Sequence, residues 1–273
     1  MKTYHHILTI AGSDSCGGAG IEADIKTISA LGCYAAAAIT AVTAQNTLGV
    51  RSICKVAPRV VADQIAAVMD DLHPEAIKVG MVNDADSIRA IATTLSSYPL
   101  PPMIVDPVMV STSGSRLMEA DALALFTSTL LPLSTLLTPN IPEAEILAGR
   151  PIHDLEDMKV AARQILQMGP KAVLVKGGHG QGREKTDLLL TGDTFHTFSS
   201  PTVCTRNTHG TGCTLSSAIA AFVVRGQGMC EAVASAKAYL YEALRAGADV
   251  AIGEGHGPVN HFFDPQPLIL TEQ

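Results

Sequence analysis

With 273 residues and a formal net charge of −7, the chain is too long for a disulfide-stapled miniprotein. It is also too acidic, with no run of Lys or Arg, for a nucleic-acid binder. Charged residues are 16% and apolar residues 47%, against about 25% charged in ordinary soluble domains. That excludes long disorder and predicts closely packed layers. Aromatics at 4% without Trp leave no stacking platform for single strands.

In chain order, residues 6–10 read as a strand entering the glycine-rich turn 12–20. That apolar run is too short for a signal segment, and no stretch reaches the ~18 apolar residues of a membrane span. Ile21, Ile25 and Ile28 then repeat at helical spacing, with Gly32 as a stop. Strands are expected at 34–43, 76–79, 103–105, 135–138 and 172–175. Helices are expected at 59–72, 84–97, 120–129 and 154–168, the last ended by Gly169-Pro170. Segments 187–191 and 194–198 bracket Gly192-Asp193, a hairpin signal. Two helices, 213–224 and about 231–244, close the chain. There is no repeat and no compositional break, so one domain over 1–273 is expected. Alternation of strands and helices predicts an α/β fold, a mainly parallel sheet covered on both faces, with ligands at the carboxyl ends of the strands.

The six cysteines are Cys16, Cys33, Cys54, Cys204, Cys213 and Cys230. None forms C-x-x-C or stands at zinc-ligand spacing from a His, so reduced, mostly buried thiols in a cytoplasmic protein are expected. The run Asn207-Thr208-His209-Gly210-Thr211-Gly212-Cys213-Thr214 precedes an Ala/Ser-rich helix. Its backbone N–H groups and the helix N-terminus can hold an anion without a lysine; a capped helix after a Gly turn is the plainer alternative. The helix field would favour a Cys213 thiolate, unless the residue is simply small and buried. Walker and G-x-G-x-x-G patterns are absent. Asn140 and Glu143, in Thr138-Pro139-Asn140-Ile141-Pro142-Glu143, offer two oxygens to a hard cation such as Mg²⁺, or else a helix capping box. Asp106, after the strand 103–105, is a candidate for metal or proton work, or a turn former. Lys176 at a strand end suits a phosphate or solvent. Gln45 can both donate to and accept from a heteroaromatic edge.

These pieces occur together in one order. Ala11-Gly12-Ser13-Asp14, Gly17-Gly18-Ala19-Gly20-Ile21, Ala23-Asp24-Ile25-Lys26-Thr27, Ala44-Gln45-Asn46-Thr47, Lys78-Val79-Gly80-Met81 and Asp106-Pro107-Val108-Met109 open the series. Val175-Lys176-Gly177-Gly178-His179, the 207–213 run and Gly255-His256-Gly257-Pro258 complete it. Over nearly the whole chain the sequence resembles the hydroxymethylpyrimidine/phosphomethylpyrimidine kinases of thiamin biosynthesis.

The resemblance implies a ribokinase-like three-layer α/β/α fold, usually a homodimer. It implies Mg-ATP as phosphoryl donor and two successive phosphorylations of 4-amino-5-hydroxymethyl-2-methylpyrimidine. Gln45 would read the pyrimidine edge, and Gly12, Asp24, Met81 and Val108 would shape its pocket. Gly210, Thr211, Gly212 and Cys213 would cradle the moving phosphoryl group, with Cys213 as proton acceptor. Lys176 and Asn140 would meet the nucleotide, and Glu143, Asn140 and Asp106 the Mg²⁺ side. A pyridoxine/pyridoxal kinase is the alternative, since that ring also carries a hydroxymethyl group; a non-catalytic pyrimidine sensor is another. Residues 177–185 are a lid candidate. The family often has Asp where Cys204 stands.

Overall fold

The computed structural model describes residues 2–109, 118, 120–178 and 182–272. Nine strands form one sheet in the order β10-β9-β8-β7-β6-β5-β2-β3-β4. They are β2 (His6–Asp14), β3 (Tyr34–Asn46), β4 (Gly49–Lys55), β5 (Ala76–Val79), β6 (Met103–Val105), β7 (Leu136–Leu137), β8 (Ala172–Val175), β9 (Glu184–Thr191) and β10 (Thr194–Pro201). The six strands from β3 to β8 in that order are parallel. β4 pairs antiparallel with β3 at one edge, and the β9–β10 hairpin is antiparallel at the other. A two-stranded ladder joins the ends of the chain, β1 (Lys2–Tyr4) with β11 (Leu270–Glu272).

Side chains alternate across the sheet, and both faces are dry. In β2, Ile7 packs beneath α1 (Gly20–Ala30), α7 (Thr211–Val224) and α8 (Met229–Ala246). Its neighbours Leu8 and Ile10 point to the other layer, beneath α2 (Pro58–Asp71), α3 (Ala85–Leu95) and α6 (Leu155–Leu166). Ile104 against Met103 and Val105 repeats this split in β6, and Leu174 against Val173 and Val175 in β8. These are the near-continuous apolar runs that a doubly covered parallel sheet requires. Each such fully buried side chain contributes about 1.5–3 kcal/mol.

Most expected elements form, with boundaries shifted by at most four residues. The expected helix 120–129 is α-helical only over α4 (Ala120–Leu125) and then widens through Phe126–Leu130. Here three hydroxyl side chains, on Thr127, Ser128 and Thr129, bond back to carbonyls three or four residues earlier, a competition that loosens helices. β4 was not expected: five of its seven residues are exposed, so no apolar alternation marks it. α5 (Ile141–Ala148) realises the capping-box alternative. Among the described residues no helix is long and apolar enough to cross a membrane. Residues 179–181 of the lid candidate lie outside the described residues, as does His179.

Candidate active site

β2 sends its connection towards β3 on one side, and β5 lies on its other side. The carboxyl ends of such strands frame a crevice, and here a cavity of about 610 Å³ opens, a small-molecule size. Gly12, Gln45, Met81, Asp106, Val108, Asn140, Glu143, Lys176, Gly210, Thr211, Gly212 and Cys213 all line it. Twelve of the thirteen residues singled out in the sequence are therefore brought together, from seven separate segments.

At one end α7 begins. Gly210 caps it with φ 78°, in the left-handed region. A Cβ there would also collide with the Gly18 carbonyl of the glycine turn. The Thr214 N–H is the first to close the helical ladder, on the Gly210 carbonyl at 2.8 Å. The amides of Gly212 and Cys213 are thus left by helix geometry for an outside acceptor. Gly212 is constrained from the side: a Cβ would stand 3.1 Å from Asp106 Oδ2 and 3.3 Å from Lys176 Nζ. Those two form an ion pair at 2.6 Å, and Thr138 Oγ1 donates to the same Asp106 Oδ1 at 3.1 Å. Burial works against charge on Lys176, but Asp106 and Glu143 outweigh it and raise its pKa. The ammonium therefore stays charged beside the amide cluster.

Beneath this end lies a pair that sequence reading missed in part. Lys78 is fully buried and binds Asp24 Oδ2 at 2.9 Å. Thr9 and Ser217 hydroxyls donate to the same carboxylate at 2.6 and 2.8 Å. Burial opposes charge on Lys78; Asp24, then Cys213 and Asp106, overcome it and raise the pKa. Asp24 was expected to shape the substrate pocket, and it does not line the cavity: its carboxylate is occupied by Lys78, Thr9 and Ser217. Its place is the floor of the site.

A thiolate at Cys213 is also corrected. Burial pushes the thiol up to about 11, and Asp24 and Asp106 push the same way; Lys78 and the Gly20 N–H oppose them. Taking a thiolate out of water outweighs the helix field, so the free protein carries a thiol here at neutral pH.

Asn140 and Glu143 make a reciprocal box at the start of α5. Asn140 Oδ1 accepts from the Glu143 N–H at 2.9 Å, and Glu143 Oε2 accepts from the Asn140 N–H at 2.8 Å. The capping-box alternative is realised, and the cap also lines the cavity. Burial pushes Glu143 up to about 7, Asp106 adds to this, and Lys176 opposes it. A buried carboxyl so close to neutrality loses its proton readily to a cation. Together with Asp106 it is an all-oxygen set, which fits Mg²⁺.

At the other end are Gln45 and an apolar wall of Met81 and Val108, packed with Ala41. Any side chain on Gly12 would run into the Met81 terminal methyl. Two further lining residues, Asp14 and His209, had no role assigned from sequence. Asp14 Oδ2 accepts from Gly18 N–H (3.1 Å), Ala19 N–H (2.9 Å) and His209 Nε2 (2.8 Å), and Oδ1 accepts from Cys16 N–H (2.9 Å). Burial alone would raise the Asp14 pKa, yet His209 and these amides hold it below the usual carboxylate value. His209 Nε2 stands 3.3 Å from Gln45 Nε2. The two glycine-flanked segments were visible separately; nothing in the sequence brings positions 195 residues apart together.

Also lining the cavity, Lys237 Nζ binds Asp187 Oδ2 at 2.6 Å, and Asp187 Oδ1 accepts from Gly177 N–H at 2.8 Å. Asp187 thereby fixes the backbone next to Lys176. Cys204, the departure from the family pattern, is exposed and outside the cavity.

The pattern of the family described as phosphomethylpyrimidine kinase matches residues 14–260. The hydroxymethylpyrimidine/phosphomethylpyrimidine kinase of Rhizobium meliloti is 50% identical over 256 residues, covering 93% of this chain and 96% of that protein. The Bacillus subtilis protein of the same name is 44% identical, over 95% of this chain and 96% of that one. The thiamine biosynthesis bifunctional protein ThiED of Geobacter sulfurreducens is 48% identical, and the chain spans 52% of its length. A crystal structure of phosphomethylpyrimidine kinase from Clostridium difficile superposes with a TM-score of 0.79 at 44% identity, covering 88% of this chain and 99% of that one. The pyridoxal kinase of Staphylococcus aureus, in complex with AMP-PCP, superposes at 0.88 with 30% identity, over 99% of this chain and 100% of that one. With a ribokinase-like α/β/α fold, an anion-ready helix start and a lysine–carboxylate pair in one crevice, this chain belongs to the phosphomethylpyrimidine kinase family.

Proposed function

We propose that the chain is one kinase domain over 1–273 that uses Mg-ATP in two steps. It phosphorylates the hydroxymethyl group of 4-amino-5-hydroxymethyl-2-methylpyrimidine, then converts the monophosphate to the diphosphate. The observation that carries this reading is the meeting, in one cavity, of the Gly212–Cys213 amides, the Lys176–Asp106 pair and the Gln45 amide. Relatives named for pyrimidine phosphorylation are 43–50% identical. The pyridoxal kinases match the fold at 30–32%, which favours the pyrimidine as principal substrate.

Phosphoryl transfer needs positioning and charge stabilisation more than covalent help. The Gly212 and Cys213 N–H groups meet the equatorial oxygens of the moving group, where negative charge grows. Lys176 supplies a fixed cation beside them, and Asp106 holds that cation in place. Gln45 orients the ring, with Met81, Val108 and Gly12 as its walls. Glu143 and Asp106, with Asn140 alongside, would hold Mg²⁺ largely through water, and the bound ion neutralises phosphate charge.

In the first step the hydroxymethyl oxygen forms its bond to the γ-phosphorus as the bond to the β-bridging oxygen breaks, and the alcohol proton passes to Cys213 Sγ. Only the thiolate can accept it, so the thiol first gives its own proton to solvent, a cost that burial raises and the Lys78 charge beneath lessens. The second acceptor is a phosphate whose second pKa of about 6 leaves it ionised at neutral pH, so that step needs no base. The reading is tested by coupled ATP turnover, expected only with added pyrimidine. Turnover with pyridoxal at higher kcat/KM than with the pyrimidine would overturn it.

We further propose a cytoplasmic homodimer. All six cysteines are free thiols. Val42, Leu48 and Ile53 are apolar side chains exposed at the sheet edge made by β3, β4 and their connection.

A further inference from the structure

One set of donor atoms has no part in the chemistry above. Asp14, Cys16 and His209 offer a carboxylate oxygen, a thiol sulfur and a ring nitrogen that all lie within 4.8 Å of one another. Asp14 and His209 are buried and Cys16 is partly buried. We propose that these three side chains bind a borderline-soft divalent cation of the Zn²⁺ class, and that the occupied site closes the ring end of the cavity.

The donor set decides the cation. One sulfur, one imidazole nitrogen and one carboxylate oxygen suit Zn²⁺, whereas Mg²⁺ demands oxygens. Three protein ligands leave a fourth tetrahedral position for water or another ligand. With bonds of about 2.0–2.3 Å, donors around such an ion stand roughly 3.3–3.8 Å apart, a gap that rotation of the partly exposed Cys16 side chain can close. Carboxylate and thiolate together neutralise the dication; the thiol proton passes to solvent, and His209 binds as the neutral imidazole with its ring proton on the other nitrogen.

The surroundings are already organised as an outer shell, which orients ligands and sustains affinity. The Cys16, Gly18 and Ala19 amides fix Asp14, and Glu22 Oε2 accepts from the Asp14 N–H at 2.7 Å. Gly17, at φ 76°, turns the chain sharply after Cys16. A Cβ on Gly18 would stand 2.5 Å from His209 Cδ2, so only glycine admits the ring. The ligands come from the end of β2, the turn after it and the segment before α7, and no zinc spacing exists in the sequence to announce them.

His209 Nε2 is 3.3 Å from the Gln45 amide, so a bound ion stands where the pyrimidine edge would be read. That consequence rests on the proposed role of Gln45; the binding itself does not. The test uses the full chain, freed of metal by a chelator and titrated with Zn²⁺ alone, with Co²⁺ as a spectroscopic probe. Expected are one Zn²⁺ per chain and a thiolate-to-cobalt charge-transfer band. Cys16→Ser should abolish the band and weaken Zn²⁺ beyond the roughly 10–100-fold that loss of an outer partner causes, while its zinc-free turnover stays near wild type. Cys213→Ser should keep the band. Absence of stoichiometric binding, or binding and band unchanged in Cys16→Ser, overturns the proposal. Zinc inhibition competitive with the pyrimidine supports both readings; binding without such competition upholds the site and overturns the placement of Gln45.

Discussion

Gly212 matters to the site alongside its charged residues. A Cβ on Gly212 would press within 3.1 Å of Asp106 Oδ2 and 3.3 Å of Lys176 Nζ. Gly212→Ala must push that pair aside, and a displacement of that kind lowers kcat by roughly 10–100-fold; steady-state kinetics with unchanged thermal stability would separate this from misfolding. Gln45→Ala should raise the pyrimidine KM by about tenfold, the worth of one or two neutral hydrogen bonds, and leave the ATP KM unchanged. An unaltered pyrimidine KM would show that the ring binds elsewhere. Gln45, Lys176 and Gly210–Gly212 stood out in the sequence because each sits at a strand end or helix start with a recognisable chemistry, whereas Gly12 was singled out only through the family resemblance. Asp24 was misplaced, and Asp14, His209 and Lys78 were passed over, because their roles depend on partners far along the chain. Lys78 in particular sits within an apolar strand, β5, where the sequence gives no sign of the buried carboxylate that pairs it.

The elements position these residues through a few polar ties. α7 is tied to the C-terminal segment by Thr214 Oγ1 and His261 Nε2 at 3.2 Å, while the Tyr239 hydroxyl donates to the His261 carbonyl at 2.6 Å. Burial, and to a lesser degree Lys26, lowers the His261 pKa to about 4 from an ordinary 6.5. The unfolded chain therefore takes up a proton below pH 6.5 that the folded chain refuses. Stability is lost as pH falls from 6.5 towards 4, by about 3 kcal/mol over the full window. Glu143 acts in the opposite sense, because its raised pKa costs stability as pH rises from 4.5 through about 7. Comparing variants isolates His261: the melting temperature of His261→Gln should fall less than that of wild type between pH 6.5 and 4. Equal falls would remove His261 as the cause. Strands and helices with a buried face were readable to within a few residues. β4, β1 and β11 were not, since they are exposed or pair residues from opposite ends of the chain.

On the scale of the whole molecule, the doubly covered sheet exists to bring segments from position 12 to position 213 to one crevice, and the alternation of elements announced that layering. It did not announce which face meets a partner. The sheet edge made by β3, β4 and their connection, which exposes Val42, Leu48 and Ile53, is the proposed dimer contact. Val42→Asp with Ile53→Asp should halve the mass seen by sedimentation, and a wild-type monomer would dismiss the dimer. The catalytic claim is tested most directly by measuring both phosphorylations in Cys213→Ala. The alcohol step requires a proton acceptor and should slow by about 10²–10⁴-fold; the phosphate step, whose acceptor is already ionised, should slow by less than about tenfold. Equal slowing of the two steps, or an alcohol step near wild type, would contradict a proton-accepting Cys213 over the Lys78–Asp24 floor.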